Sequence, residues 1–341
     1  MQYSIHMLVV SLAASVCACA GHFETSGIGH SAIAEQESSC ARNIPVISPY
    51  RMPLADPVSD PAAMATLDVI PAEARRTARA AGLEPLLVEL LRERAANAGG
   101  ALSPRELALH QELTLRLLAF DSQLTSLSFE TECTRRHIGD IASTLDAHEA
   151  RRQFMLATAS LVIGAGTGIS AGVLDLAGSQ SLLPAVLAVA GGILGASLGI
   201  AVLAVPAREV VIEHRHNLLR PIQAGNDPEH FYPSFVFRML NAQYPGDDTT
   251  PGLPLRADFD TAVSAYGSLD SQGQVRHILF GDGGPYSRPL LATREYMLHR
   301  LQFAVQGVAR SLELLDRSLV KLLTTPAGAV PPLVSEAARY R

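Results

Sequence analysis

The chain has 341 residues, a formal net charge of −6 at pH 7, no tryptophan and only 5% aromatic residues. Proteins that bind nucleic acids present basic surfaces, so this composition argues against that class of partner. The length suits two or three modest domains. The hydrophobic fraction of 48% is raised by one long apolar stretch in the middle of the chain.

The N-terminus carries a pattern typical of export. Met7–Ala20 is an apolar run too short to span a bilayer but of the length found in signal peptides. It ends in Val16-Cys17-Ala18-Cys19, which resembles the bacterial lipobox over four residues. The resemblance implies a signal peptide over 1–18 and a Cys19 acylated with a fatty acid such as palmitate. Cleavage after Ala20, at the small-residue pattern Ala18-Cys19-Ala20, is the alternative. Residues 1–6 lack the usual lysine or arginine, which weakens both readings and leaves open a start at Met7 or upstream of Met1.

Residues 19–61 are predicted to form an extended tether. They are rich in serine, glycine and proline, and a proline recurs every fourth residue from Pro45 to Pro61. Proline at this density excludes a regular helix. Two cysteines remain besides those of the signal region, Cys40 and Cys133. In an oxidising compartment they either form one disulfide or stay as two free thiols, and the sequence leaves both open.

The segment 62–100 is predicted to contain two short packing helices, Pro71–Ala81 and Leu83–Ala98, bounded by proline and glycine. A long heptad helix over 101–153 follows, opened by the capping box Ser103-Pro-Arg-Glu106. Its positions repeat with spacings of four and three through Leu113, Leu117, Phe120, Leu124, Leu127, Thr131, Thr134, Ile138, Ile141, Leu145 and His148. We expect this helix to continue to Leu174, about 105 Å in all.

The stretch 154–205 is predicted to be a transmembrane helical hairpin. Its apolar runs, Phe154–Leu174 and Leu182–Val205, contain 21 and 24 residues, long enough to cross a hydrocarbon core. Each run carries a glycine at every fourth residue, so two helix backbones can approach closely in lipid. These predicted helix-packing residues are Gly164, Gly168, Gly172, Gly191, Gly195 and Gly199. A buried hairpin in a soluble bundle is the alternative, but six glycines would each cost about 1 kcal/mol there.

Beyond the hairpin, segment 206–245 is predicted to extend the second apolar run as a helix over Arg208–Arg220, stopped by Pro221, and to add a short helix at Ser234–Asn241. Segment 246–288 is predicted to be loop-rich, with one helix at Ala257–Ser268.

Within that segment, Gly281–Pro285 resembles the nucleophile loop of trypsin-like proteases but lacks the family's serine, so we interpret it as a turn.

The C-terminal heptad helix spans 289–324, and 325–341 is a tail. The helix repeats the spacing of the earlier one, with Arg294 as the one charged intruder, so the two helices are expected to pair. Its seam consists of Leu291, Arg294, Leu298, Leu301, Val305, Val308, Leu312, Leu315, Leu319 and Leu322. Pairing between two chains is the alternative.

Glu213, His214 and His216 invite a hypothesis of metal binding or hydrolysis at the base of the hairpin. On a helix the two histidines would lie about 200° apart, whereas zinc needs three or four converging ligands. We therefore expect no catalytic, cofactor or metal residue, and no small-molecule substrate is indicated.

Together these patterns predict an all-α protein: a long antiparallel helical coiled-coil or bundle stalk carrying the glycine-rich hairpin. The favoured function is a non-enzymatic bacterial envelope lipoprotein, a membrane-inserted scaffold that binds the lipid bilayer and forms a homo-oligomer. The alternative is a pore former, since the layout broadly resembles α-helical pore-forming toxins without a shared motif. A hydrolase is the remote alternative.

Two sequence features disagree about the side of the membrane on which the stalk lies. Arg151, Arg152 and Arg208 flank the hairpin base and favour a cytoplasmic stalk by the positive-inside rule. The signal peptide favours the exported side, which we prefer, with inner and outer membrane both open.

Overall fold

The computed structural model describes residues 54–97, 102–176, 209–214, 216–241 and 252–324, without the side chains of 156, 159–176, 252 and 253. Within these residues the chain is predominantly helical, with one 3-10 turn and one two-stranded antiparallel ribbon. The coarse prediction of a helical protein is therefore confirmed.

The described helices are α1 Pro61–Thr66, α2 Ala72–Ala80, α3 Glu84–Ala96, α4 Pro104–Leu176, α5 Leu219–Ala224, α6 Ser234–Asn241, α7 Gly252–Ser264, α8 Leu269–Phe280 and α9 Arg288–Thr324. The strands are β1 Val210–Glu213 and β2 Gly283–Tyr286.

The two longest helices, α4 and α9, pack against each other in antiparallel directions, as predicted. Arg288 donates to Asp146 over 2.7 Å, and the Glu295 carboxylate lies 3.4 Å from where a Cβ on Gly139 would sit. The Glu132 carboxylate accepts a hydrogen bond from Gln302. From one contact to the next, the residue number falls by seven on α4 and rises by seven on α9. Seven residues of one helix therefore lie beside seven residues of the other.

Most positions of the two heptad seams are buried. On α4 the buried members are Leu113, Phe120, Leu124, Leu127, Thr131, Ile138, Ile141 and Leu145, whereas His148 is exposed. On α9 every seam position from Leu291 to Leu319 is buried, and this includes Arg294. The seam of α4 therefore ends at Leu145, beside the first turn of α9.

The long helix α4 begins where the sequence predicts. The Ser103 hydroxyl accepts a hydrogen bond from the backbone N–H of Glu106, which satisfies one of the free donors of the first turn. The helix then continues unbroken to Leu176, close to the predicted end at Leu174. At 1.5 Å per residue, the part beyond Asp146 is about 45 Å long.

Two short helices cover the start of this pair. The predicted helices Pro71–Ala81 and Leu83–Ala98 are present as α2 and α3. Buried Glu84 joins them, because its carboxylate accepts from Arg79 at 2.9 Å and from the backbone of Val58 at 3.0 Å. Of the predicted tether 19–61, only 54–61 is described. Its end already starts α1, whose N-terminus the Asp60 carboxylate caps.

The prediction of a helix over Arg208–Arg220 is wrong. The described part of this segment contains β1, which pairs antiparallel with β2. Val210, Val211 and Ile212 are β-branched and alternate between buried and exposed, which favours a strand. Pro221 does not stop a helix but lies in the first turn of α5, where its missing N–H would have had no helical partner.

The segment predicted as loop-rich, 246–288, is also mostly regular where it is described. The single predicted helix Ala257–Ser268 is replaced by α7 and α8. Ser268 begins α8, since its hydroxyl accepts from the backbone N–H of Ser271. The predicted turn Gly281–Pro285 is wrong in its second half, because β2 starts at Gly283. The helix predicted at Ser234–Asn241 has those bounds in the structure.

Among the described residues, no helix is both long and apolar enough to cross a membrane. The predicted hairpin 154–205 lies largely outside them. Its first run belongs to α4, which ends at Leu176, and in that run only the side chains of Phe154, Met155, Ala157 and Thr158 are described.

Candidate functional site

The first candidate region is the point where α4 leaves the rest of the molecule. The pair Asp146–Arg288 lies at the N-terminal end of α9, and no later α4 side chain that is described becomes buried. Every described side chain from Asp146 to Thr158 is exposed to solvent. Phe154, which starts the first apolar run, is 70% exposed. An apolar segment is thus carried away from the body on a continuous helix.

Charged side chains hold α4 against α9 near this exit. Glu132 accepts hydrogen bonds from Arg135 and Arg136, and Arg135 lies 3.5 Å from Glu295 of α9. The hydrogen bond from Arg135 is the main reason that the pKa of Glu132 is lowered from 4.5 to about 2. The hydrogen bond from Arg288 likewise lowers the pKa of Asp146. Both carboxylates therefore stay ionised in the pair at neutral pH.

The predicted packing and lipidation residues are only partly described. Gly164, Gly168 and Gly172 belong to the helical backbone of α4, and their surroundings are not described. Gly191, Gly195, Gly199, Cys19 and Cys40 lie outside the described residues. Cys133 is disulfide-bonded, and its partner lies outside the described residues. Pairing with Cys40 stays a prediction.

The residues of the metal and hydrolase hypothesis do not converge. Glu213 is exposed at the end of β1, and His214 is buried against Tyr286. His216 contacts Glu130 of α4, with 2.5 Å between Nδ1 and Oε1. In the described part of the chain, no three histidine, cysteine or carboxylate side chains are grouped to hold a metal ion.

A buried polar cluster that the sequence did not predict lies at the C-terminal end of α8. Arg294, in the α9 seam, is only 1% exposed and donates from Nη1 to the Leu279 carbonyl at 2.9 Å. The Tyr286 hydroxyl donates to the Ile278 carbonyl at 3.1 Å. The cluster therefore begins by satisfying carbonyls that the end of a helix leaves without intrahelical partners.

Two further side chains complete this cap. Asn217 donates to the carbonyls of Leu279 and Gly281 at 2.9 and 2.8 Å, and Arg220 donates to the Phe280 carbonyl at 3.0 Å. The C-terminal end of a helix carries a partial negative charge, which favours nearby cations. The position of Arg294 is thus explained by helix capping, and the cluster joins the ribbon, α8 and α9.

His214 belongs to the same cluster and is uncharged. Its Nε2 lies 2.7 Å from the Tyr286 hydroxyl. Because that hydroxyl donates its one hydrogen to Ile278, it accepts from His214, which places the histidine proton on Nε2. Burial, followed by the charges of Arg294 and Arg220, lowers the pKa of His214 from 6.5 to about 2. A histidine with so low a pKa is a poor general base near neutral pH.

A second buried contact joins α4 to the segment that follows the ribbon. Glu130 is buried and contacts His216, whose ring packs edge-on against Phe231 with centroids 4.0 Å apart. The neighbouring Tyr232 donates its hydroxyl to the Leu218 carbonyl. Burial is the main cause that raises the pKa of Tyr232, and the nearby charges of Glu130 and Asp227 raise it further. This contact ties the chain returning after residue 208 to α4.

The one signal for these buried groups in the sequence was Arg294, a charge in an otherwise apolar seam. No sequence pattern indicated that Tyr286 or Asn217 would be buried, because their partners are backbone carbonyls at the end of α8, a helix that the sequence did not predict.

Comparison with protein-family models, curated proteins and solved structures found no match to this chain.

Proposed function

We propose that this protein is a non-enzymatic, membrane-anchored helical scaffold of the bacterial envelope. In this proposal the hairpin 154–205 inserts into the bilayer, a lipid on Cys19 provides a second anchor, and α4 and α9 form a coiled-coil stalk. The observation that supports it most is that α4 continues beyond Asp146 as an unbroken helix with exposed side chains up to Thr158. This helix leads into the apolar, glycine-rich run.

The physical argument concerns the stability of that helix. An isolated helix in water is marginal, and most helical stability in soluble proteins comes from packing of an apolar face. Glycine at every fourth position weakens a helix in water further, by about 1 kcal/mol each. In lipid the backbone hydrogen bonds become obligatory and small residues allow close helix packing. A bilayer is therefore the environment in which the run after Phe154 is most stable as a helix.

Flotation with lipid vesicles tests the hairpin separately from the lipid anchor. The full chain carrying Cys19→Ala cannot be acylated, and we expect it still to float with vesicles. Adding Ile163→Arg and Ile193→Arg, one in each apolar run, should abolish flotation, because each charge costs about 2.5–3.5 kcal/mol at the centre of a span. Leu269→Arg is the matched control, since Leu269 is 84% exposed on α8. Flotation that survives both hairpin substitutions would exclude the inserted hairpin.

Mass spectrometry of the mature N-terminus tests the lipid anchor. We expect an acylated Cys19 as the first residue. An intact, unmodified Met1 would reject the lipoprotein part of the proposal and leave the hairpin to be judged by flotation.

The same vesicles distinguish a scaffold from a pore former. A scaffold should float without releasing an encapsulated dye. Release that depends on protein concentration, and that is lost with Ile163→Arg and Ile193→Arg, would assign the protein to the pore-forming alternative.

A further inference from the structure

Cys133 of α4 is disulfide-bonded, and its partner lies outside the described residues. The side chain is half-buried and shares one face of the helix with Glu130 and His137, which are both buried. Glu130 in turn contacts His216, in the chain that follows β1. The bond is therefore formed on the packed body of the protein, before α4 becomes exposed beyond Asp146.

The sequence contains three other cysteines, Cys17, Cys19 and Cys40. Cys17 and Cys19 belong to the segment that resembles a lipobox. The resemblance implies that the first is removed with the signal peptide and that the sulfur of the second carries the lipid. Cys40 lies beyond this segment and keeps its thiol. In the mature lipoprotein, only Cys40 is then left as a partner for Cys133.

The described body shows where the chain from Cys40 arrives. A Cβ on Gly82 would lie 2.7 Å from the backbone nitrogen of Ala55, and the Ala55 carbonyl accepts from Arg238 of α6 at 3.4 Å. Phe235 of the same helix packs on Phe120 of α4, with ring centroids 4.4 Å apart. The chain therefore joins the body beside the part of α4 around Phe120.

This arrival point puts Cys133 within reach of Cys40. Phe120 and Cys133 are about 20 Å apart along α4 at 1.5 Å per residue. The segment between Cys40 and Ala55 spans at most about 50 Å when fully extended. It is thus long enough to reach Cys133 without moving any described part of the body.

We infer that Cys133 is bonded to Cys40, and that this bond marks the body as lying in an oxidising compartment outside the bacterial inner membrane. Disulfides persist in exported proteins, whereas thiols in the cytoplasm are kept reduced. The pairing is argued from the described body and does not depend on the membrane. Its consequence for topology rests on the proposed function.

Formation of the bond is an oxidation and needs an electron acceptor. The two thiols lose two protons and two electrons, and the acceptor is the disulfide of an exported thiol oxidoreductase. A thiolate of this chain attacks that disulfide, and the second cysteine then displaces the enzyme, which leaves as a dithiol. The bond is therefore acquired after export.

The bond also decides between the two sequence features that disagree about topology. The helix α4 runs without a break from Cys133 to the apolar run at Phe154, about 32 Å further along. Arg151 and Arg152 precede that run, so they lie on the same side of the bilayer as the bond. The stalk is exported, and these two arginines depart from the positive-inside rule.

The pairing leaves enough chain for both anchors to enter one membrane. The segment between Cys19 and Cys40 reaches at most about 75 Å when extended. This exceeds the distance of about 32 Å between Cys133 and Phe154 along α4. The lipid on Cys19 and the hairpin can therefore enter the bilayer from the same side.

Peptide mapping tests the pairing in the full chain, expressed with its own N-terminus and alkylated without reduction. Trypsin together with a glutamate-specific protease cleaves after Glu37 and Arg42, which separates Cys40 from the cysteines of the signal region. We expect the peptide 38–42 to be linked to the peptide that contains Cys133. A link from Cys133 to the signal region or to a second copy of itself, or a free Cys133 thiol, overturns the pairing.

Substitutions provide an independent measurement of the same bond. In the Cys40→Ser chain, the Cys133 thiol should react with a polyethylene-glycol maleimide without reduction, which retards the protein on a gel. Cys17→Ser is the matched control and should stay unreactive until a reductant is added. A Cys40→Ser chain that also stays unreactive would show that Cys133 has another partner.

A reporter on α9 tests the side of the membrane. Gly307→Cys is introduced into a chain carrying Cys40→Ser and Cys133→Ser, because a Cβ at Gly307 would have no neighbour within 4 Å. A maleimide that does not cross membranes should label it in spheroplasts with an intact inner membrane. The same chain without Gly307→Cys sets the baseline. Labelling only after lysis would place the stalk in the cytoplasm and overturn the inferred topology.

Ser179→Cys in the same background separates this inference from the proposed function. Ser179 belongs to the predicted loop of the hairpin, so an inserted hairpin should protect it until the cells are lysed. If both positions are labelled in spheroplasts, insertion of the hairpin is rejected, whereas export of the body and the pairing are supported. If Ser179→Cys alone is labelled, the hairpin is inserted in the opposite direction and the inferred topology is rejected.

Discussion

At the scale of single residues, the C-terminal end of α8 explains why three polar side chains are buried beside it. Its last carbonyls would be costly to bury without donors. Asn217 supplies such a donor from the loop before α5, Tyr286 from β2 and Arg294 from α9. The guanidinium of Arg294 donates to the Leu279 carbonyl and lies 3.5 Å from the Tyr286 hydroxyl, and its Nε has no hydrogen-bond partner within the described structure. This environment keeps His214 neutral and links its protonation to folding.

The first prediction concerns the pH dependence of stability. The pKa of His214 is about 2 in the folded chain and near 6.5 when unfolded, so the unfolded state takes up the proton first as the pH falls. The contribution of neutral His214 to the free energy of unfolding is therefore complete above pH 6.5, and it declines by about 1.4 kcal/mol per pH unit below that pH. Between pH 6.5 and 5, the free energy of unfolding measured with urea should fall by up to about 2 kcal/mol in the unsubstituted chain because of His214. The His214→Gln chain should not show this decrease.

The control for this measurement is His148→Gln, which changes an exposed histidine on α4. It should keep the pH dependence of the unsubstituted chain. If His214→Gln and the unsubstituted chain lose stability equally between pH 6.5 and 5, then His214 does not stay neutral in the folded state.

The second prediction separates charge from packing at Arg294. Arg294→Met keeps most of the side-chain volume, and the Leu279 carbonyl retains its hydrogen bond from Asn217. Buried charges can often be replaced by apolar groups at little cost, so we expect a change within about 1 kcal/mol. Arg294→Ala leaves a cavity in the seam and should cost about 2–4 kcal/mol. Equal losses from both substitutions in urea unfolding would show that the guanidinium, and not its volume, stabilises this position.

At the scale of elements, the ribbon depends on the backbone of Gly283. Its φ is +102°, and a Cβ there would lie 2.0 Å from the Ile212 carbonyl oxygen of the paired strand. Any side chain would therefore be strained and would collide with backbone. The ribbon brings Tyr286 to the end of α8, so a distorted ribbon also disturbs the cap.

The third prediction compares two glycine substitutions. Gly283→Ala should lower the free energy of unfolding by more than about 2 kcal/mol, because the strain of a positive φ and the collision with the Ile212 carbonyl both destabilise the folded chain. Gly273→Ala, within α8 and with no neighbour within 4 Å of the added Cβ, should raise it by about 1 kcal/mol. Thermal or urea unfolding measures both. A Gly283→Ala chain as stable as the unsubstituted one would be inconsistent with this ribbon geometry.

At the scale of the whole molecule, an antiparallel helix pair is fixed at the ends of α9, and within the described residues α4 alone continues beyond it. The contact of Arg94 in α3 with the Leu323 carbonyl lies at one end of α9, and the pair Asp146–Arg288 lies at the other. The helices α5, α6 and α7 also pack against α9. Under the proposed function, force or position at the membrane would be transmitted along α4 into this pair.

The fourth prediction concerns closure of the hairpin in the membrane. If Gly168 and Gly195 face each other, then Gly164→Cys and Gly199→Cys together should cross-link within one chain. A protease site inserted at 175–181 would reveal the link, because the two halves would stay joined after cleavage. Gly168→Leu should prevent the link by forcing the helices apart, whereas Leu161→Ile should not. Failure of the otherwise native pair to cross-link would show that the glycine register is wrong.

The sequence by itself determined the long helices, because their positions follow from local information. A capping box, seven-residue spacing and the absence of proline predicted α4 to within two residues at its end, and matching seams predicted its pairing with α9. The lipid anchor, the hairpin and the oligomer rest on sequence patterns in regions that lie largely outside the described structure.

Between residues 209 and 288 the sequence predicted the short helix Ser234–Asn241 correctly, but only the tertiary structure decided the other described elements. Val210–Glu213 becomes a strand because a second strand, seventy residues later, supplies its hydrogen bonds. Arg294 looked like a defect in an apolar seam, and only the position of α8 explains it. Local spacing predicts which face of a helix is buried, but the partner of a strand or of a helix end is set by contacts between residues distant in the chain, and no single segment encodes them.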